Sequence, residues 1–105
     1  MYGLKEKHIN AITSVFKKYP EIEEAVLYGS RAKGNYRNGS DIDLTLKGEA
    51  LSLSLLFKIE TELDDLLLPY KIDLSIYHTI ENPDLIEHIK RFGIIFYEKE
   101  WINPD

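Results

Sequence analysis

The 105-residue sequence predicts one α+β domain, in which helices flank a small β-sheet. Three observations point to that class. Asp41 to Lys47 and Lys71 to Tyr77 alternate strictly between apolar and polar residues, as half-buried strands do. "EAVLYG", Glu24 to Gly29, is short, β-branched and aromatic, and stops at glycine like a buried strand. Apolar residues three and four apart recur before, between and after these segments, which is the period of amphipathic helices.

Taken in order, Leu4 to Tyr19 carries Ile9, Ile12, Phe16 and Tyr19 on one helical face, and Pro20 closes the pattern. The strand Glu24 to Gly29 follows. Residues 30 to 34 could begin a helical turn before the strand "DIDLTLK", which sets Ile42, Leu44 and Leu46 against Asp41, Asp43 and Thr45. "LSLSLLFKIETELDDLLL" begins with strand-like alternation. Leu56, Ile59, Leu63 and Leu67 then fit a helix from about Ala50 to Leu67, with Asp64 and Asp65 on its solvated side. In "KIDLSIY", Ile72, Leu74 and Ile76 oppose Asp73, Ser75 and Tyr77. Asn82 as N-cap and Pro83 at the first helical position open the last helix, whose stripe is Leu85, Ile86, Ile89 and Phe92. Lys90 and Arg91 suit its C-terminal end, and Gly93 suits a left-handed cap. "IIFYE" is a final strand or an extended tail, and Trp101 with Ile102 is either a docking patch or a terminus folded back on the domain.

Composition narrows the function. With 44% hydrophobic and 30% charged residues the chain reads as globular and soluble, and the length of residues 1–105 suits a single core. The absence of cysteine rules out disulfides and thiolate metal sites. No apolar run suits a membrane span and no signal-peptide pattern follows Met1, so a cytoplasmic location is expected. A net charge of −5 disfavours direct nucleic-acid binding, which draws its affinity from basic residues. One basic island, Arg31, Lys33 and Arg37, stands just ahead of Asp41 and suits an anionic ligand.

The candidate chemistry lies in "LYGSRAKGNYRNGSDIDLTL", Leu27 to Leu46, and in Asp73. On a strand, Asp41 and Asp43 project from one face with Cα atoms roughly 6–7 Å apart. If the strand carrying Asp73 is a neighbour, three carboxylates converge. Each pair about 5 Å apart then repels by roughly 3 kcal/mol at an effective dielectric near 20. Raised carboxylate pKa values or bound cations must relieve this, and all-oxygen ligands select Mg²⁺ or Mn²⁺. Gly29 allows a sharp turn after the first strand, and Ser30 offers a hydroxyl and a backbone N–H to an anion. Arg31, Lys33 and Arg37 could add charge-assisted contacts to phosphate. Read singly, each Asp is a solvated strand residue, Gly-Ser a plain turn and the basic residues a solvated loop.

Together, Gly29-Ser30-Arg31, Asp41-Ile42-Asp43 and the later Asp73 resemble the signature of the DNA polymerase β-like nucleotidyltransferase superfamily. The likeness is greatest to the minimal nucleotidyltransferase (MNT) family, whose closing helix and aromatic tail are similar to "IKRFGIIFYE". Read as a single domain, the chain is expected to differ from larger relatives, which carry a second, substrate-positioning domain. The resemblance implies a small mixed sheet flanked by helices. It further implies a triphosphate, ATP expected, along Gly29, Ser30, Arg31 and Lys33, and two Mg²⁺ ions held by Asp41, Asp43 and Asp73 as metal-binding and catalytic residues. It also implies a HEPN-domain toxin as partner in a hetero-oligomer, in a type VII-like toxin–antitoxin pair. The activity implied is AMP transfer to a tyrosine of that toxin.

Two other readings compete: a nucleotide-binding module that neutralises its partner without turnover, and a transferase acting on a small molecule such as an antibiotic. The third is the weakest, because little chain is left to shape a selective pocket. His8, His78 and His88 share no ligand spacing and read as surface or packing residues; Tyr36 is either a base-stacking or an exposed loop residue.

Overall fold

A computed structural model describes residues 1–100; Trp101 and Ile102, read above as a docking patch or a folded-back terminus, lie outside the described residues. Four strands and four α-helices alternate in the predicted order: α1 (Glu6–Lys17), β1 (Glu24–Tyr28), α2 (Ser30–Lys33), β2 (Ile42–Lys47), α3 (Leu53–Asp65), β3 (Ile72–Ile76), α4 (Pro83–Phe92) and β4 (Ile94–Glu98). A 3₁₀ turn, Tyr77–Thr79, follows β3.

The sheet is mixed, with strand order β3-β2-β1-β4. β1 runs antiparallel to both β2 and β4, whereas β2 and β3 are parallel. Parallel neighbours need a crossover, and α3 supplies it. Ile42, Leu44 and Leu46 are fully buried with Ala25 and Leu27, packed with Ile12 and Phe16 of α1 and Ile59 and Leu63 of α3. The other face carries a smaller cluster, Val26 and Tyr28 of β1 with Ile89 of α4, flanked by Tyr77, Ile80 and Leu85. Thr45, assigned by alternation to the polar face, is therefore buried, and its Oγ1 accepts a hydrogen bond from the Ser75 hydroxyl at 3.0 Å. Alternation identifies the face correctly; it carries no information about whether a helix lies over that face.

Helix ends differ from the sequence reading for local reasons. Leu4 and Lys5 precede α1, because Tyr2 and Gly3 take positive φ and the Leu4 N–H turns back to the Met1 carbonyl. Ser52 caps α3, accepting from the Leu55 N–H at 3.2 Å, which resolves the Leu-Ser alternation into a cap and a first turn. Leu67 does not extend the α3 stripe: it follows the helix with φ of 54° and is 88% exposed. Asp64 and Asp65 are exposed as expected. α4 begins as predicted, with the Asn82 side chain accepting from the Asp84 and Leu85 N–H groups. Gly93 is not a left-handed cap. Its φ is −62° and ψ 139°, and glycine is required because a Cβ would strike the Ile89 carbonyl and Val26 Cγ1. This close approach lets β4 leave α4 directly. No helix among the described residues is long and apolar enough to cross a membrane.

Candidate active site

β1 ends at Tyr28, and Gly29 turns the chain with φ of 77° and ψ of −155°, a conformation essentially restricted to glycine. Ser30 then starts the four-residue α2, and Gly34 ends it at φ of 85°. A Cβ on Gly29 would strike the Asp43 carboxylate, so the missing side chain is what lets Asp43 lie against this turn.

Asp43 is the centre of the arrangement. It pairs in register with Tyr28 of β1 on one side and with Asp73 of β3 on the other. Side chains at one register level of adjacent strands project from the same face. Asp41 precedes β2 on the same alternation, and the ladder between β2 and β3 continues there through the Ile42 N–H, which donates to the Lys71 carbonyl at 2.8 Å. Asp41 and Asp73 are exposed and Asp43 is half-buried. Burial pushes the Asp43 carboxyl above the ordinary aspartate range; Asp73 and then Asp41 push it further, while His88 opposes them. The Tyr28 hydroxyl is also pushed up, chiefly by burial; Ser75 opposes this while Asp73 and Asp43 reinforce it.

These donors suit a hard divalent cation. They are carboxylate oxygens on one face, one of them pushed toward protonation by burial and then by the other two, and the Lys18–Glu62 ion pair lies elsewhere. The fit is chemical and not yet a finished cage: among the described residues no three His, Cys, Asp or Glu side chains are gathered as ready-made metal ligands. The register pair Asp43–Asp73 is the part that the fold builds. The site is an open shelf at the sheet's end; a groove of about 530 Å³ between α1 and β4, lined by Thr13, Lys17, Phe96 and Tyr97, contains none of the three carboxylates.

The basic island is divided by the fold. Arg31, expected on phosphate, is 3% exposed, and its Nε and Nη2 donate to the Ser40 carbonyl at 3.1 and 2.8 Å. Its Nη1 donates to the Tyr2 carbonyl at 2.9 Å, and its guanidinium lies over the rings of Tyr36 and Tyr70. Burial and these partners make Arg31 an anchor of the loop that leads to Asp41. Tyr36 is exposed, and the Arg31 guanidinium lies over its ring. Lys33 is exposed, with Nζ 5.1 Å from the centre of the Phe92 ring, and Arg37 is exposed. His78 is exposed and His8 packs edge-on against Tyr70.

Sequence reasoning missed His88. Its Nε2 accepts the Gly29 N–H at 3.0 Å across 59 residues of chain. No spacing rule signals such a contact, although His88 lies one residue before Ile89 on a helix whose Ile89 stripe had been identified.

Comparison with known proteins agrees with this fold. No curated protein matches the sequence. Among solved structures, a chain of a toxin–antitoxin crystal structure with AMP-PNP superposes with a TM-score of 0.69 at 19% identity, over 88% of this chain and 74% of that one. A complex of tri-AMPylated Shewanella oneidensis HEPN toxin with MNT antitoxin gives 0.66 at 16% identity, over 91% and 74%. A putative nucleotidyltransferase from Sulfolobus solfataricus gives 0.52 at 16% identity, over 92% of both chains. These likenesses establish a shared fold. The family model described as polymerase beta, nucleotidyltransferase matches residues 10–101, and the chain belongs to that nucleotidyltransferase family.

Proposed function

We propose that the chain transfers AMP from ATP to a tyrosine hydroxyl of a HEPN toxin, and so acts as the antitoxin of a toxin–antitoxin pair in the cytoplasm. The observation that carries this reading is the register pairing of Asp43 with Asp73, with Asp43 seated against Gly29. The structural neighbours support the choice of nucleotide and acceptor, since one was solved with AMP-PNP and another holds an AMPylated HEPN toxin.

Gly29 and Ser30 would receive the triphosphate, with the Ser30 hydroxyl and the unpaired N–H groups of the first turn of α2 as donors. Lys33 would leave the Phe92 ring to neutralise phosphate oxygens. Asp41 and Asp43 would hold one Mg²⁺ and all three aspartates a second, which when bound would offset phosphate charge and lower the pKa of the acceptor hydroxyl. Asp73 would accept the proton of that hydroxyl. The acceptor oxygen bonds to the α-phosphorus, the bond to the bridging oxygen breaks, and pyrophosphate leaves. Exposure of Asp41 and Asp73 suits an acceptor delivered by a second protein.

The alternative is a nucleotide-binding module that neutralises its partner by complex formation without turnover. Mass measurement separates the two. The chain is incubated with the protein encoded beside it, Mg²⁺ and ATP, next to Asp41→Asn, Asp43→Asn and Asp73→Asn variants. Transfer adds whole AMP units to the partner and the variants lose them; a tight complex with no mass gain would leave only the binding module.

A further inference from the structure

His88 lies outside every motif of the site, yet it touches the turn on which the nucleotide reading depends. Gly29 follows the last register pair of β1 and β2, Tyr28 with Asp43, and as the N-cap of α2 its N–H has no acceptor within the helix. The acceptor it finds is His88 Nε2, at 3.0 Å. Accepting through Nε2 leaves the ring proton on Nδ1.

The imidazole is held in place. It meets the Tyr28 ring edge-on at 6.1 Å and the Phe92 ring at 5.3 Å. α4 is itself fixed by the Asn82 cap and by Ile89, buried against Val26 and Tyr28. Gly29 is thus contacted at its Cα by Asp43 and at its N–H by His88, and the next residue is Ser30.

We propose that His88 is a positioning residue for nucleotide binding: by holding the Gly29 N–H it fixes the peptide that aims Ser30 at the triphosphate. This rests on reading Gly29-Ser30 as the nucleotide cradle. His88 does not touch the reacting atoms; it acts through the turn. A role in packing alone would need the ring and not its lone pair, and this distinguishes the two by substitution.

The test uses the full chain with His88→Gln, which keeps an acceptor at similar reach, and His88→Phe, which keeps an aromatic ring without one. Calorimetric titration with Mg–ATP reads nucleotide affinity, and hydrogen exchange of the Gly29 amide by NMR reads the hydrogen bond itself. The expected result is about tenfold weaker binding and faster Gly29 exchange in His88→Phe, with both returned close to wild type in His88→Gln. Unchanged affinity in a folded His88→Phe variant overturns the inference. So does a folded His88→Gln variant that binds as weakly as His88→Phe, since packing would then be what matters. A wild-type chain that binds no Mg–ATP overturns the nucleotide reading itself, and the inference with it, even where Gly29 exchange shows the hydrogen bond intact.

Discussion

Asp43 and Asp73 stand opposite one another in register on adjacent parallel strands, and the Asp43 carboxylate rests against the one residue, Gly29, that has no side chain to exclude it. The pairing concentrates negative charge at the end of the sheet. Each consequence below can be measured.

The first concerns pH. The folded Asp43 carboxyl titrates above its unfolded value, so the native state holds a proton that the unfolded chain releases. Stability from this group is complete below the ordinary aspartate pKa and is lost as pH rises through the raised one. Thermal melts of the metal-free chain from about pH 4 upward should show that loss, and Asp43→Asn should remove it. Under the proposed function, Mg²⁺ should restore stability to the wild type near pH 7 and leave Asp43→Asn unmoved.

Gly29→Ala meets two penalties together, a glycine-only backbone conformation and a collision with Asp43. Urea unfolding should show a loss of about 1–3 kcal/mol. Gly34→Ala is the control. Gly34 also has positive φ, but a Cβ there meets nothing, so its cost should stay near 1 kcal/mol.

Arg31→Met tests the assignment of Arg31 as an anchor. It strips three hydrogen bonds from a buried guanidinium and leaves the Ser40 and Tyr2 carbonyls without it, a cost of about 2–4 kcal/mol in urea unfolding. Arg31→Lys should recover only part of that, because a single ammonium cannot reproduce the planar fork. A phosphate ligand would behave otherwise, weakening nucleotide binding in a chain of wild-type stability.

Tyr19 joins the end of α1 to α3, its hydroxyl donating to Glu62 Oε1 at 2.7 Å beside the Lys18–Glu62 ion pair. The hydrogen bond to Glu62 pushes the Tyr19 phenol from 10.0 up to about 12, ahead of burial and charge. The folded phenol keeps its proton where the unfolded one ionises, so this contribution is present below pH 10.0 and disappears as pH rises through about 12. Stability measured across that window should fall less steeply in Tyr19→Phe than in wild type.

What the sequence determined by itself was the local part of the protein. Alternation along "DIDLTLK" and "KIDLSIY" set which residues share a face, because successive strand side chains must point to opposite sides. Asn82 and Pro83 opened α4, and Gly29 marked the turn, because caps and φ limits act within a few residues. Only the tertiary structure decided what depends on distant segments. It placed β3 beside β2, so that Asp73 met Asp43, laid the 3₁₀ turn against β2, where Thr45 is buried, and packed α4 on β1, so that His88 reached Gly29. It also drew Arg31 inward to Ser40 and Tyr2 and away from solvent. Strand order and helix coverage come from burying apolar surface across the whole chain, and that non-directional force leaves no mark in the spacing of any one motif.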